Sequence, residues 1–292
     1  MRNNIWQRVK NHALDDKWKI GIIEASFNDI LAGNYSIKYL DTYYKDGWFA
    51  DPFVLDVSSE TFSLLVEEFY YPHKRGRISK LVVRRSDMKL LSVMPLLSID
   101  THLSFPAILR DQEHIYVYPE NSYSGHLDIY EYVGNENQIV KHSRILDSPA
   151  IDAIIFNYGR NRYLSCTFPY EQSESVLHIF VENSSGEFTH FQDISFDRKI
   201  ARNAGAWFEY EGKYYRPAQD CSKTYGGAVV LQEVILGEDG FIFKDCSRIE
   251  STDLIYSRGC HTFNGYCGLF AVDSKTYRRP IQAELLNSLF QI

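Results

Sequence analysis

The sequence lacks the apolar segments that carry a protein into or through a membrane. Among 292 residues there is no run of about 18 apolar residues, the length that crosses a bilayer as a helix. The polar start "MRNNIWQRVKNHALDDKWK" has no apolar centre of a secretory signal. These absences predict a cytoplasmic protein that does not insert into membranes.

Cysteine is also scarce, and its spacing indicates no cross-linked or metal-bound framework. The five cysteines are Cys166, Cys221, Cys246, Cys260 and Cys267. Their number is odd and no pair is spaced C-x-x-C, so neither a disulfide framework nor a zinc site is indicated. The glycine pairs in "YGG" and "GYCG" lack the spacing of a phosphate-binding loop. We therefore expect reduced thiols, no metal and no cofactor.

Positive charge is in deficit. The chain has 31 Lys and Arg against 38 Asp and Glu, which gives a net charge of −7. Such a field repels nucleic acid unless a local basic patch overcomes it. The short run "HKRGR" (His73–Arg77) fits a solvated hairpin tip better than such a patch. We expect no nucleic-acid partner.

Helical periodicity is nearly absent, and the chain is rich in strand signals instead. Helices are predicted only near residues 4–14 and 280–289. Aromatic residues make up 15% of the chain and favour pleated, half-buried surfaces. Segments such as "FSLLVEEFYY", "HIYVYPE", "RYLSCTF" and "AVVLQEVIL" alternate with turn residues and predict short strands. The fold class is therefore all-β.

One segment type recurs about every fifty residues. The copies are "ADPFVL", "SFPAIL", "IDAIIF", "NAGAWF" and "CHTFNG", and their second residues are Asp51, Phe105, Asp152, Ala204 and His261. A repeat of this length built from short antiparallel strands is typical of a propeller blade. We predict a five-bladed β-propeller over residues 17–292, preceded by a short N-terminal extension at residues 1–16. The fifth unit lacks a full set of strands, and "KWKIGII" (Lys17–Ile23) is expected to supply the missing outer strand and close the ring.

The repeat places remote residues together. The innermost strand of each propeller blade begins at one mouth of the central channel, so its first residues face a shared cavity. Asp51, Asp152 and His261 are therefore expected to converge on the axis.

Several longer segments resemble a known family. The array "FADPFVL", "LSFPAIL", "YRPAQDCSKTYG" and "HTFN" resembles the N-terminal domain of glucosamine inositolphosphorylceramide transferase-like proteins. That domain is similar to five-bladed propellers of the glycoside hydrolase family 43 type. The resemblance runs from about residue 17 to 273, and "YRPAQDCSKTYG" is its most specific part.

The resemblance implies a site with three carboxylates: a general base, an orienting aspartate and a general acid. Asp51 in "ADP" matches the base, and Asp152 in "IDA" resembles the orienting residue. The segment most like the acid-bearing one has Asn203-Ala204-Gly205 in place of a glutamate. A carbohydrate or glycoconjugate is the implied ligand.

The residues themselves offer other acids, because glycoside cleavage needs one carboxylic acid and one carboxylate. Glu120 and Glu68 end the second strands of their units at matching offsets, and Gln219 matches them in the fourth unit. Strand alternation sends either Glu67 or Glu68 inward, and the sequence leaves open which one. Each of these residues could instead be a solvated strand end, and Asp51 could be a strand-entry turn.

The predicted ligand-binding residues surround the same mouth. An arginine fork binds oxyanions, amides and carboxylates bind hydroxyls, and aromatic faces stack on sugar rings. The alternative for the polar ones is a buried Arg–Asp network that locks a blade, and His261 could carry a proton, bind a metal or fill the core. The set is Trp48, Arg202, Asn203, Arg216, Gln219, Asp220, Tyr225 and His261.

Two functional hypotheses follow. The first is an enzyme that cleaves or transfers a glycosyl unit, with Asp51 as base, Asp152 as orienting residue, and Glu120 or Glu68 as acid. The second is a non-catalytic glycan-binding propeller that serves polysaccharide or glycoconjugate biosynthesis. The second hypothesis implies association with a glycan-synthesis enzyme.

Overall fold

The protein is an all-β propeller of five four-stranded sheets, as the repeat predicts. The computed structural model describes residues 16–169, 174–253 and 255–277. Both predicted helices and all but the last residue of the predicted N-terminal extension lie outside these ranges. Within them, no helix is long and apolar enough to cross a membrane.

The described part of the chain begins with two strands of the last blade. These are β1 (Asp16–Ile23) and β2 (Lys38–Tyr39), joined through the short helix α1 (Phe27–Leu31). The first complete blade follows as β3 (Gly47–Val57), β4 (Thr61–Tyr70), β5 (Arg75–Arg84) and β6 (Lys89–Leu97). The second blade is β7 (Ser104–Asp111), β8 (His114–Glu120), β9 (Leu127–Val133) and β10 (Gln138–Leu146), with a 3₁₀ turn at Ser122–Ser124.

The remaining blades have the same antiparallel order from the axis outward. The third is β11 (Ile151–Tyr158), β12 (Asn161–Thr167), β13 (Val176–Glu182) and β14 (Phe188–Ser195). The fourth is β15 (Phe208–Tyr210), β16 (Lys213–Asp220), β17 (Ala228–Gly237) and β18 (Gly240–Ile249). The fifth contains β19 (Phe263–Tyr266) and β20 (Leu269–Tyr277).

The two ends of the described chain close the ring. Strand β1 pairs with β20 in an antiparallel register that runs from Asp16↔Tyr277 to Ile23↔Phe270. The fifth blade therefore has the order β19-β20-β1-β2. This pairing confirms that the segment Lys17–Ile23 closes the ring, but as the third strand of the blade and not as its outer strand, which is β2. It removes the open sheet edge that an unclosed ring would expose.

The innermost strands of the first three blades share one distortion. The pairing register shifts between Ala50 and Phe53 in the first blade, and at the corresponding positions in the second and third. Within the shifted segments, Asp51, Phe105 and Asp152 have φ values of 50°, 43° and 46°. A left-handed non-glycine residue inside a β-bulge re-aims its side chain and is costly unless its surroundings fix it. The repeated segment thus encodes a repeated bulge.

Aromatic side chains fill the space between blades. Trp207 stacks on Phe156 of the third blade with 3.9 Å between ring centroids, and Phe241 of the fourth blade meets both rings edge-on. All three side chains are buried. Burying such rings contributes several kcal/mol each and holds the blades around the axis.

Candidate active site at the propeller hub

Carboxylates at the hub hold the bulges of neighbouring blades. The Asp51 amide donates to Asp273 Oδ2 at 3.1 Å, and the Phe105 amide donates to Asp51 Oδ2 at 3.0 Å. In the same way, the Asp152 amide donates to Glu120 Oε2 at 3.2 Å. Each bulge amide thus bonds to an acid of the preceding blade. Such bonds offset the cost of burying the charge and help to fix the strained backbone.

An imidazole lies between two of these acids. His261 Nδ1 is 2.7 Å from Asp273 Oδ2, and its Nε2 is 3.4 Å from Asp51 Oδ1. Thr262 Oγ1 donates to Asp51 Oδ1 at 2.9 Å. Trp18 stacks on the imidazole with 3.9 Å between centroids. Since both ring nitrogens face carboxylates, the geometry favours an imidazolium that donates to both.

The charges of this cluster agree with that assignment. Burial acts against the charged form of His261, but Asp273 and Asp51 outweigh it and raise its pKa to about 9. Burial likewise opposes ionisation of Asp273, yet His261 and backbone amides hold the pKa of Asp273 below its usual value. The ligand atoms of Asp51, His261 and Asp273 lie within 4.8 Å of one another, a spacing that also suits a cation. In this hydrogen-bonding arrangement, the second ring proton of His261 supplies the positive charge between the two carboxylates.

A second polar cluster joins the third and fourth blades. Arg202 Nε donates to Asp152 Oδ2 at 2.7 Å, and Gln219 Nε2 donates to the same oxygen at 2.8 Å. Arg202 Nη2 lies 3.9 Å from Glu120 Oε2. Asp152 is therefore fixed in place by two donors. Gln219 Oε1 is buried and accepts no hydrogen bond from the described residues, which leaves one acceptor at the hub for a ligand.

Two carboxyls of the hub are poised to carry protons near neutral pH. Burial raises the pKa of Asp51 to about 7, and nearby acids add to the rise while His261 opposes it. Burial and the charge of Asp152 raise the pKa of Glu120 to about 8, against the effect of Arg202. Acid–base catalysts have pKa values tuned in this way by burial and neighbouring charge.

The hub is covered on one side by residues that are only partly buried. The Arg202 guanidinium lies 5.1 Å from the centroid of the Tyr225 ring, and Tyr225 is 41% exposed. Lys275 Nζ donates to the Tyr225 carbonyl at 2.7 Å. An exposed aromatic ring beside a guanidinium and buried carboxylates offers a stacking face and hydrogen-bonding groups to a sugar.

The strand register shows which of the paired glutamates faces the hub. Glu67 lies opposite Ala50, as Glu120 lies opposite Ser104 in the next blade. The charge of Glu67 contributes to the raised pKa of Asp51. Glu68 points the other way, where Arg77 binds it through Nε and Nη2 at 2.9 and 2.7 Å. The structure does not bring Glu68 to the hub.

Part of the predicted ligand set forms the blade-locking network instead. Arg216 is fully buried and donates to Asn203 Oδ1 at 3.0 Å and to Gln232 Oε1 at 2.7 Å. Asn203 Nδ2 donates to the Asp152 carbonyl at 2.9 Å. Asp220 pairs with Arg248 at 2.5 Å, away from the hub cluster. These contacts match the structural alternative for Arg216, Asn203 and Asp220.

Trp48 lies on the rim rather than within the hub clusters. Its ring stacks on Phe69 with 4.9 Å between centroids, and it lines a cavity of about 90 Å³. The predicted residues that do meet at the hub are Asp51, Glu120, Asp152, Arg202, Gln219, Tyr225 and His261.

Sequence reasoning did not find Asp273, Thr262 or Trp18. Asp273 is buried in β20, the second strand from the axis in its blade, as Glu67 and Glu120 lie on the second strands of theirs. The signal was therefore available: an acid that faces the hub from the second strand in three of the five units. Trp18 carried no such pattern, because it reaches His261 only through ring closure.

The raised pKa values predict that stability falls as the pH rises. In the folded state Glu120 keeps its proton up to about pH 8, whereas in the unfolded chain it loses the proton at its lower, ordinary pKa. The pKa values of Asp51 and His261 are likewise raised by folding. The folded state therefore holds more protons across this range, so unfolding becomes easier with pH. We expect the free energy of unfolding to decrease by a few kcal/mol between pH 5 and 9, since one pKa unit is worth about 1.4 kcal/mol.

Urea unfolding followed at several pH values measures this slope. Glu120→Gln is expected to flatten it between about pH 5 and 8, whereas Glu136→Gln, at an exposed position of the same blade, should leave it unchanged. A stability that rises steadily toward pH 9 would contradict the proton assignments.

Together these features define a closed five-bladed propeller with buried, proton-binding acids on its axis. Comparison with protein families gives the more particular assignment. Residues 36–251 match the family described as "Glucosamine inositolphosphorylceramide transferase 1, N-terminal". The chain belongs to this family, as its sequence resemblance predicted.

Curated relatives carry the same name over a much longer chain. Glucosamine inositolphosphorylceramide transferase 1 of Oryza sativa subsp. japonica is 30% identical over 201 residues, which are 65% of this chain and 27% of that protein. The Arabidopsis thaliana protein of that name is 28% identical over 141 residues, 46% of this chain and 18% of its own. The matched part thus spans about a quarter of the rice relative and less than a fifth of the Arabidopsis thaliana relative.

Solved structures show the same fold. A GH43 β-xylosidase/α-arabinofuranosidase from a compost microbial metagenome aligns with a TM-score of 0.53 at 12% identity, covering 79% of this chain and 91% of that chain. The GH43_1 enzyme from Xanthomonas citri aligns with a TM-score of 0.51 at 11% identity, covering 79% and 87%. These likenesses confirm the five-bladed fold.

Proposed function

We propose that the hub binds a carbohydrate and that Glu120 and Asp51 serve as acid and base in cleaving or transferring a glycosyl unit. The observation that carries this proposal is the pair itself. Both carboxyls are enclosed in the same hub, the charge of Asp51 contributes to the raised pKa of Glu120, and the pKa values of the two groups lie near neutrality.

The roles follow from the environments of the two carboxyls. With a pKa of about 8, Glu120 keeps its proton at neutral pH and can donate it to a leaving glycosidic oxygen. Asp51 lies 3.4 Å from His261, and the imidazolium favours its carboxylate form, as a base or nucleophile requires. Asp152, held by Arg202 and Gln219, orients the ligand or the acid.

The family supports a carbohydrate as the ligand class. The curated relatives of rice and Arabidopsis thaliana are named glucosamine inositolphosphorylceramide transferase 1, a name that describes transfer of a sugar to a lipid. The chain covers about a quarter of such a protein, so this support concerns the class of ligand and not a particular reaction.

A non-catalytic glycan-binding role is the second candidate, and one observation favours it. Both oxygens of Asp51 already accept internal hydrogen bonds, from Thr262 and from the Phe105 amide. A base occupied in this way must release a partner before it activates water. On this hypothesis the hub recognises a glycan for a glycan-synthesis enzyme that the chain accompanies.

The cellular setting of either role is part of the proposal. We place the protein in the cytoplasm, in association with polysaccharide or glycoconjugate synthesis. All five cysteines are free, and Cys246 and Cys267 are exposed, which suits a reducing compartment. Fractionation of cells that express a tagged chain tests this placement, and recovery from the exterior would contradict it.

A screen of aryl glycosides and activated sugars tests the enzymatic proposal. We expect Asp51→Asn to lower turnover by at least about 100-fold, since positioned acid–base groups contribute about 10²- to 10⁴-fold. Asp56→Asn is the matched control, because Asp56 is an exposed residue of the same strand. Equal turnover in wild type and Asp51→Asn would remove Asp51 from catalysis. A glycan that binds without turnover would favour the second candidate.

A further inference from the structure

A cationic cavity lies beside the hub and is not used by the proposed chemistry. Its volume is about 510 Å³. One wall is the turn between β4 and β5, and the other is the connection from the first blade to the second. The residues that matter are His73, Lys74, Arg75, Asp100, His102 and Tyr123.

The two walls are held together closely. A Cβ atom on Gly76 would lie 2.2 Å from the Leu103 carbonyl oxygen, so only glycine permits this approach. The Gly76 amide donates to His102 Nδ1 at 2.9 Å, which assigns the ring proton to Nε2. That nitrogen lies 3.2 Å from Glu67 Oε1. His102 therefore separates the cavity from the hub acids and contacts one of them.

The cationic groups of the cavity are only partly satisfied. Arg75 Nη1 donates to the Asp100 carbonyl at 3.0 Å, which positions the guanidinium. Arg75 Nε is buried and has no hydrogen-bond partner among the described residues. Lys74 is exposed and forms no ion pair with a residue that the structure describes. An unpaired, desolvated guanidinium donor is costly unless a ligand supplies an acceptor.

One acid opposes these cations. The Asp100 carboxylate lies 3.6 Å from Arg75 Nη2, but its side chain is fully exposed, so solvent weakens the pair. On the hub side, His102 lies between the cavity and the Glu67 carboxylate.

We propose that this cavity binds a phosphate group carried by the carbohydrate ligand. Arg75 and Lys74 bind its oxygens from the turn, and His102, whose ring nitrogens are engaged by the Gly76 amide and Glu67, separates it from the hub acids. A phosphate, with three or four oxygens spread over several donors, fits this arrangement better than a carboxylate, which the Arg75 fork alone would satisfy. Tyr123, 81% exposed, offers a face to the attached sugar. The inference rests on the proposed carbohydrate site and narrows its substrate class.

Calorimetric titration of the full chain tests the proposal with defined probes. The probes are inorganic phosphate, glucose 1-phosphate and methyl α-D-glucoside. We expect glucose 1-phosphate to bind at least about tenfold more tightly than the neutral glucoside, because a charge-assisted hydrogen bond is worth about 1.5–3 kcal/mol and each 1.4 kcal/mol is tenfold. Glycerophosphoinositol is added as a diester. Tighter binding of either phosphorylated probe than of the neutral glucoside supports the site. Preference for the monoester then indicates a sugar phosphate, and preference for the diester indicates a lipid headgroup.

Charge variants locate the phosphate. Arg75→Gln should weaken glucose 1-phosphate about tenfold and Lys74→Gln a few-fold, whereas Asp100→Asn should tighten it. Arg84→Gln is the matched control, because Arg84 lies on the same strand at its other end, and it should change nothing. Thermal melting checks that each variant is folded. If Arg75→Gln does not fold, Lys74→Gln, at an exposed position, still tests the site.

The outcomes separate this inference from the proposed function. The phosphate site would be overturned by equal affinity for the phosphorylated and neutral sugars. It would also be overturned if the Arg75 and Lys74 variants both bound phosphate within twofold of the wild-type affinity. Sugar binding that depends on Asp51 would then still support the hub. Phosphate binding that depends on Arg75, without any sugar binding that depends on Asp51, would instead support the phosphate site and contradict the proposed carbohydrate site at the hub.

Discussion

Replacing Glu120 by glutamine is expected to lower kcat by about 10²- to 10⁴-fold, the usual contribution of a general acid. The amide keeps the shape of the side chain and can still accept the hydrogen bond from the Asp152 amide. It has no acidic proton, so the leaving group departs without protonation. Ground-state binding of the sugar should change little, and KM is expected to stay within a few-fold.

The pH profile makes the assignment specific to Glu120. Wild-type activity should decline above about pH 8, where Glu120 loses the proton that its raised pKa retains. The residual activity of Glu120→Gln should lack this decline, and Glu136→Gln should behave as wild type. A Glu120→Gln variant with full activity and an unchanged basic limb would show that another group donates the proton.

Replacing Asp273 by asparagine is expected to destabilise the fold by about 3–5 kcal/mol, the cost of breaking a buried ion pair. Asp273 is fully buried and accepts from the amides of Asp51, His261 and Thr262 as well as from the imidazole. An amide offers one acceptor oxygen and turns the other position into a donor. Because Asp273 lies on β20, which pairs with β1, the loss falls where the ring closes.

Urea unfolding measures this effect. Asp239→Asn is the control, because Asp239 is exposed in the turn between β17 and β18 and should cost less than about 0.5 kcal/mol. A loss below about 1 kcal/mol for Asp273→Asn would mean that the hub carboxylates are not needed to fasten the bulges.

The architecture could be predicted because it repeats. Five copies of one segment indicated the blades, and the need to fill the fifth blade indicated its closing strand. The same repetition placed Asp51, Asp152 and His261 on the axis. The bulges and left-handed φ values at Asp51, Phe105 and Asp152 follow from the same repeated segment, although no single copy would have shown them.

The details of the hub could not be predicted, because they depend on register and on partners from other blades. A shift of one residue along a strand reverses the face of a side chain, and this decides between Glu67 and Glu68. The type of residue does not distinguish Arg202, which faces Asp152 at the hub, from Arg216, which is enclosed within its own blade. Asp273 and Trp18 acquire their roles only when the first and last strands meet.

A crystal structure of the complex with the saccharide selected by the glycoside screen would show whether the hub is the carbohydrate site. We expect a sugar ring on the axis, with its hydroxyls or glycosidic oxygen within hydrogen-bonding distance of Asp51 and Glu120 and its face toward Tyr225. A saccharide bound only on the outer strands of the blades, with the hub carboxylates unchanged, would contradict it.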